Sequence, residues 1–159
     1  MKIFISHKKE DEKTALQVLY TLQQVDVDAY LDLLDNITSD NGEKLTKHIR
    51  DKLHECTDVI AILSSKTKES WWVPFEIGMA TEKDMPIANY SKDFENFPEY
   101  LTYWPRLKSC QDVIKYVEIR NKVSKQMRLE RTLNESYFQS DNDKISETQR
   151  FYSELKKSL

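Results

Sequence analysis

The stretch Asp58-Val59-Ile60-Ala61-Ile62-Leu63, residues 58–63, is an almost unbroken apolar run rich in β-branched side chains. Such a run is typical of a strand that is buried on both faces of a parallel sheet. The pair Ser64-Ser65 ends it. Before it, Leu45, Ile49 and Leu53 recur at the four-residue spacing of an amphipathic helix. The stretch therefore predicts a buried strand in a fold where strands and helices alternate.

The same alternation continues in both directions along the chain. Strands are predicted at residues 2–6, 27–32 and 85–90, and helices at residues 11–24 and from the Trp71-Trp72 pair to about residue 83. Right-handed crossovers join such β-α units into an open parallel sheet with helices on both faces. The expected fold class is therefore α/β with a parallel sheet.

The last third of the chain has a different pattern. Residues 97–107 are rich in aromatic side chains and contain Pro98 and Pro105, so a fifth strand in this part is expected to be short. From there to its end the chain has neither Gly nor Pro, and its apolar residues keep roughly helical spacing. One long helix is predicted over about residues 111–137 and a shorter one over about residues 144–157.

Composition excludes several classes of protein. The 159 residues are 39% hydrophobic and 32% charged with a net charge of -3, which suits one domain with a proper core and predicts no nucleic-acid partner. The apolar start ends at His7-Lys8-Lys9, too short for a signal peptide or a membrane span, so we expect a cytoplasmic protein without a membrane partner. Cys56 and Cys110 lack a C-x-x-C spacing and the histidines lack ligand spacing, so no metal site is expected.

The carboxyl ends of parallel strands meet at one edge of a sheet, where the ligands of such folds bind. At this edge we expect the polar residues that follow the first three strands, which are Ser6, His7, Lys8, Asp32 and Ser64. The helix that follows Ser70 begins at the same edge. Trp72 and Glu76 lie four residues apart in it, so they share one helix face. An aromatic surface beside a carboxylate suits a ligand with a planar ring next to developing positive charge.

The chain lacks the motifs of several common reactions. With only Gly42 and Gly78 there is no G-x-G-x-x-G or P-loop, and there is no nucleophile elbow, which disfavours hydride transfer, NTP hydrolysis and triad hydrolases. Cleavage of an N-glycosidic bond with a cationic leaving group, such as nicotinamide on ribose, needs no general acid and only one carboxylate to stabilise an oxocarbenium-like transition state. Glu76 is the predicted catalytic residue, with Trp72 stacked on the base.

These residues identify a resemblance to bacterial Toll/interleukin-1 receptor (TIR) domains. The resemblance rests on Ile3-Phe4-Ile5-Ser6-His7 with Asp11, on Tyr30-Leu31-Asp32, on residues 58–64, and on Ser70-x-Trp72-x-x-x-Glu76. It implies a flavodoxin-like open sheet of four to five strands in the order 2-1-3-4-5. It covers about residues 1–107, and residues 108–159 are expected to form a helical C-terminal extension packed on the same domain.

The resemblance also implies a function. Many bacterial TIR domains cleave NAD+, as substrate rather than cofactor, into nicotinamide and ADP-ribose or a cyclic ADP-ribose isomer. The family's catalytic glutamate carries over to Glu76 and its tryptophan to Trp72, whereas Val73 replaces the cysteine of the family's common Trp-Cys pair. Residues 33–42 resemble the BB loop, which gates the site and joins subunits. Ser6, His7, Lys8, Asp32 and Ser64 are the expected substrate-binding residues around it.

Stand-alone TIR proteins of this size resemble the signal-making partner of Thoeris-type anti-phage systems. The partners expected on this basis are NAD+, further copies of the chain, and a downstream effector that senses the nucleotide product. Two alternatives remain: a non-catalytic TIR scaffold that acts by self-assembly, and an enzyme like the nucleoside deoxyribosyltransferases. Trp71, which cannot share a helix face with Trp72, belongs to the core or to an interface.

Overall fold

The computed structural model describes residues 1–31, 42–93, 98–133 and 141–159. In these ranges, one sheet contains five parallel strands, β1 Lys2–Ser6, β2 Asp28–Leu31, β3 Asp58–Ile62, β4 Ile87–Tyr90 and β5 Arg106–Leu107. Their spatial order is β2-β1-β3-β4-β5. The flavodoxin-like α/β fold and strand order that the sequence predicts are therefore confirmed.

The helices follow the predicted sequence of elements. They are α1 Glu12–Gln23, α2 Gly42–His54, α3 Trp72–Glu82, α4 Cys110–Leu133 and α5 Asp141–Ser158. Short 3-10 segments occupy Lys9–Asp11, Ser65–Glu69 and Glu99–Tyr103. Within the described ranges, none of the helices has the length and apolar character that crossing a membrane requires.

Strand β3 lies at the centre of the sheet, and all five of its residues are buried. Its β-branched run fills both faces of the sheet, and burying each such side chain stabilises the fold by roughly 1.5–3 kcal/mol. In the register of the ladders, Ser6 pairs with Ala61 and Ile62 pairs with Tyr90. The carboxyl ends of β1, β3 and β4 therefore lie level with one another along one edge of the sheet, called the rim below.

The two C-terminal helices are anchored to the opposite edge of the sheet. Helix α4 packs against α1, and α5 packs against α4. Buried Asp58, the first residue of β3, accepts hydrogen bonds from the Tyr116 hydroxyl at 2.8 Å and from Arg120 Nε at 3.1 Å. The same guanidinium contacts Glu147 of α5 at 2.6 Å. A buried network of ion pairs thus links β3, α4 and α5. The predicted domain boundary at residue 107 stays a prediction.

Candidate active site at the rim of the sheet

The centre of the candidate site is Glu76, in the second turn of α3. Its side chain is only 1% exposed. A carboxylate is rarely buried to this extent unless it has hydrogen-bond partners. The hydroxyl of buried Ser6, the last residue of β1, donates a hydrogen bond to the Glu76 carboxylate. The fold thus joins two predicted site residues that are 70 positions apart in the sequence.

The local sequence explains why Glu76 faces the sheet. Val73, Ile77 and Ala80 are buried in α3, and their spacing of four and three residues defines the helix face that packs on the sheet. Glu76 lies on the same face. At the start of the helix the Ser70 hydroxyl accepts a hydrogen bond from the Val73 amide at 3.3 Å, and Pro74 occupies the first turn, where a missing N-H is tolerated.

The two tryptophans are at the surface rather than in the core. Trp71 is 90% exposed, so it does not belong to the core. Of the two predicted locations, the interface is the one that remains. Trp72 is 37% exposed, and its ring meets Phe75 edge to face, with 5.9 Å between the ring centroids. The structure therefore places the partly exposed ring of Trp72 one helical turn before the buried carboxylate, in contact with the ring of Phe75, the residue next to Glu76.

The polar residues after β1 already have protein partners. Lys8 Nζ lies 3.0 Å from a Glu69 carboxylate oxygen and 3.5 Å from Glu10, and the hydrogen bond to Glu69 raises the pKa of the lysine. A substrate phosphate at Lys8 would therefore have to displace a carboxylate. His7 is half-buried beside Ser6.

Ser64 connects the end of β3 to the loop after β1. Its hydroxyl donates to Asp11 at 2.8 Å and accepts from the Lys66 amide at 3.1 Å, while its own amide donates to the Thr67 hydroxyl at 2.9 Å. The sequence indicates Ser64 as a substrate contact. The structure shows its side chain joined to Asp11, another residue on which the resemblance rests.

Asp32 and residues 33–41 lie outside the described residues, so the predicted contacts of Asp32 and the resemblance of this segment to a gating loop stay predictions. Of the predicted site residues, the structure brings Ser6 and Glu76 into direct contact, whereas Lys8 pairs with Glu69 and Ser64 pairs with Asp11.

Two clefts open at the rim beside this centre. The polar cleft, of about 290 Å³, lies between α1 and the ends of β3 and β4, and its lining includes Asp11, Thr14, Ser65, Tyr90, Lys92 and Asp93. The apolar cleft, of about 210 Å³, lies between α3 and the segment Glu99–Tyr103, and its lining includes Val73, Pro74, Ile77, Pro98, Tyr100 and Leu101.

Leu63 and Ser64, which follow β3, line both clefts. Glu76 does not line either of them. Sequence reasoning did not identify Thr14, Asp93 and Tyr100 as cleft residues, because nothing in their local pattern distinguishes them from ordinary surface residues. The position of Asp93 just after the end of β4 was the one available signal.

Comparison with known proteins agrees with this geometry. A family model described as TIR domain matches residues 3–133, a range that includes α4. The solved TIR domain of the Toll-related receptor TRR-2 from the lower metazoan Hydra magnipapillata is 14% identical to this chain at a TM-score of 0.57, and the match covers 77% of this chain and 95% of that one.

A second solved structure, a 2-deoxyribosyltransferase from Bacillus psychrosaccharolyticus, is 13% identical at a TM-score of 0.57, and the match covers 71% of this chain and 90% of that one. At such low identity, these two structures show that the fold is shared. No curated protein sequence matches the chain significantly.

Proposed function

The chain belongs to the TIR domain family, and from that premise we propose that it is an NAD+ nucleosidase, which cleaves the bond between nicotinamide and ribose. The observation that carries this proposal is the carboxylate of Glu76, buried at the rim and held by the Ser6 hydroxyl. The products are nicotinamide and either ADP-ribose or a cyclic ADP-ribose isomer.

The chemistry asks little of the protein. The bond between ribose C1′ and the nicotinamide nitrogen breaks, its electron pair leaves with the nicotinamide, and the base departs neutral. Positive charge develops on the ribose, where the negative carboxylate of Glu76 stabilises it. Water then attacks C1′ and loses a proton to give ADP-ribose, or a nucleophilic atom of the same dinucleotide closes a ring. Ser6 orients the carboxylate throughout.

The burial of Glu76 supports a second part of the proposal, low turnover in the isolated subunit. A carboxylate that is 1% exposed cannot meet a ribose until the rim opens around it. We propose that self-association opens the site, with Trp72 and Phe75 then stacking on the base. Contacts of His7, Lys8, Asp32 and Ser64 with the rest of the dinucleotide belong to the same proposal.

The biological role that fits this reaction is the production of a nucleotide signal. A product made from an abundant dinucleotide can diffuse to a separate effector protein, as the resemblance to Thoeris-type systems implies. We propose a cytoplasmic signalling enzyme of anti-phage defence, with NAD+ as its substrate and no resident cofactor.

Two other functions have specific support. The exposed aromatic side chains of Trp71, Trp72 and Phe75 favour a scaffold that only self-assembles, because large apolar surfaces on a soluble domain commonly mark interaction sites. The shared fold of the Bacillus psychrosaccharolyticus 2-deoxyribosyltransferase favours transfer of a deoxyribosyl group, which also requires a carboxylate facing a sugar.

The deciding experiment measures nicotinamide release from NAD+ over a range of protein concentrations, with mass spectrometry of the second product. The wild type should release nicotinamide, and Glu76→Gln, which keeps the shape of the side chain, should abolish release. Glu82→Gln, at the far end of α3, is the matched control and should behave as the wild type. A wild type without release at any concentration would favour the scaffold, and base exchange between deoxynucleosides would favour the transferase.

A further inference from the structure

A small recess lies at the amino ends of β4 and β5, on the edge of the sheet opposite the rim. Its volume is about 120 Å³, and its walls come from the end of α3, the start of β4, the residues around Tyr103, and α5. It is called the aromatic recess below, and its lining includes Asp84, Tyr103, Trp104, Thr148, Gln149 and Tyr152. The recess shares no lining residue with the two clefts at the rim, so it is a separate site.

Three aromatic rings of the recess stand at steep angles to one another. The ring of Tyr103 meets that of Trp104 at 82° and that of Tyr152 at 89°, with 5.7 and 6.2 Å between the ring centroids. Trp104 and Tyr152 are buried, and the Tyr152 hydroxyl accepts a hydrogen bond from the Ile87 amide at 2.8 Å, so these two rings are held in place. Perpendicular rings of this kind form the walls of a box. Proteins bind quaternary ammonium groups in such boxes, because the face of each ring is partly negative.

Asp84 adds a full negative charge to this box. Its carboxylate is exposed and makes no hydrogen bond or ion pair within the described part of the chain. It is also the one charged side chain among the described residues that line the recess. The recess is therefore net negative, and a cation is the guest that it attracts.

Asp84 is an unfavourable residue for its position. It follows α3 with a φ of 52°, in a turn where its amide donates to the Thr81 carbonyl and the Met85 amide donates to the Ala80 carbonyl. Glycine is usual in this turn, and a negative charge at the C-terminal end of a helix is disfavoured by the helix dipole. Asp26 follows α1 in the same conformation, with a φ of 55°, so the turn by itself does not indicate a ligand. Asp26 does not line the aromatic recess, which makes it a matched control.

Tyr103 already contacts a cation from the protein. Lys156 Nζ lies 5.8 Å from the centroid of its ring and 2.6 Å from its carbonyl oxygen. The lysine does not line the recess, and its charge opposes that of a cationic guest. The free carboxylate of Asp84 offsets this repulsion.

We propose that the aromatic recess binds a small quaternary ammonium group such as that of choline, with its methyl groups against the three rings and its charge beside Asp84. The volume supports a guest of this size, because clefts that hold drug-sized ligands measure roughly 300–1,000 Å³. The site is independent of the reaction proposed at Glu76. Glu76→Gln should therefore leave the binding of choline unchanged.

The test is a titration of the full chain with choline, followed by calorimetry and by amide chemical shifts. Choline should bind, with shifts at Asp84, Tyr103 and Thr148. The neutral carbon analogue of choline, in which a tert-butyl group replaces the trimethylammonium group, has the same shape and no charge. It should bind about fivefold or more weakly, because it gains neither the ion pair nor the attraction to the ring faces. An absence of choline binding, or equal binding of the two compounds, would overturn the proposal.

Two pairs of variants test the carboxylate and the ring. Asp84→Asn should weaken choline binding about fivefold or more, the effect of losing one ion pair near the surface, while Asp26→Asn should leave it unchanged. Tyr103→Ala should weaken binding roughly two- to thirtyfold, whereas Tyr103→Phe, which keeps the ring, should retain most of the affinity. Tyr103 is 61% exposed and asparagine tolerates a positive φ, so the fold should survive all four substitutions. An unchanged affinity in Asp84→Asn would contradict the site.

The source of the ammonium group is distinguished with vesicles of phosphatidylcholine. Competition between the vesicles and choline assigns the recess to a lipid headgroup, and binding of choline that the vesicles do not affect assigns it to a free cation. Both outcomes support the recess as a site for this group.

Discussion

Ser6 and Glu76 share a buried hydrogen bond across the rim of the sheet, from the last residue of β1 to the second turn of α3. The bond keeps a carboxylate in the interior, where an unpartnered charge would be costly. It also holds that carboxylate at the edge where parallel sheets bind their ligands. The arrangement leads to predictions about the site and about the fold that supports it.

Removal of the Ser6 hydroxyl should lower activity without abolishing it. In Ser6→Ala the Glu76 carboxylate loses one donor, and a hydrogen bond to a charged group contributes about 1.5–3 kcal/mol. We expect the rate of nicotinamide release to fall roughly tenfold or more. The free energy of unfolding should fall by about 1.5–3 kcal/mol. Ser153→Ala, at an exposed position of α5, is the control. An unchanged rate would show that Ser6 does not position Glu76.

Replacement of Trp71 should separate assembly from folding. The side chain is 90% exposed, so Trp71→Ser should change the free energy of unfolding by no more than about 0.5 kcal/mol. If the exposed aromatic surface joins subunits, the same change should weaken the dependence of nicotinamide release on protein concentration. Denaturant unfolding and rate measurements at several concentrations check the two parts. A large loss of stability would contradict the structure at this position.

The buried ion pair at the opposite edge should dominate the stability of the C-terminal helices. Arg120→Ala leaves Asp58 buried without its charge partner, and breaking such a pair costs about 3–5 kcal/mol. Urea unfolding should show a loss of this size. Lys122→Ala, two residues further along α4, removes a surface ion pair with Glu154 and should cost about 0–1 kcal/mol. Equal effects of the two substitutions would refute the role given to Asp58.

Stability should fall in alkali. Burial raises the pKa of Cys56 from 9.0 to about 11 and that of Tyr90 from 10.0 to about 12, and it also raises the pKa of Tyr116 and Tyr152. Above pH 9 the unfolded chain therefore loses protons that the folded chain keeps, so unfolding becomes easier as pH rises. Each group contributes a slope of up to about 1.4 kcal/mol per pH unit.

Urea unfolding at pH 9, 10 and 11 measures this slope, and tyrosinate absorbance follows the phenols directly. In Tyr90→Phe the slope should decrease, because one of the shifted groups is gone. Constant or rising stability across this range would mean that the raised pKa values are wrong.

Much of the fold could be predicted from the local pattern of apolar and polar residues. The apolar run at Asp58–Ile62 is a buried central strand, and the predicted helix over residues 11–24 is α1 within one residue at each end. The predicted end of the long helix near residue 137 lies outside the described residues, in which α4 extends to Leu133.

Part of the candidate site could also be predicted from the sequence, and part of it could not. Glu76 was identified because it lies four residues after Trp72, on the same helix face, and because it ends the motif Ser70-x-Trp72-x-x-x-Glu76. The pairing of Lys8 with Glu69 was not visible, since the two residues are 61 positions apart in the sequence. The two clefts at the end of β3 were not visible either, because their lining residues come from elements scattered between Asp11 and Leu101.

The sequence by itself determined the order of strands and helices and the face of α3 on which Glu76 lies, because periodicity and crossover handedness act within one β-α unit. Only the tertiary structure decided that Ser6 is the partner of Glu76, that Ser64 is held by Asp11, and that Trp71 faces solvent. Those outcomes depend on which distant groups come within hydrogen-bond distance, and a short-range directional contact is settled only when the whole chain has packed.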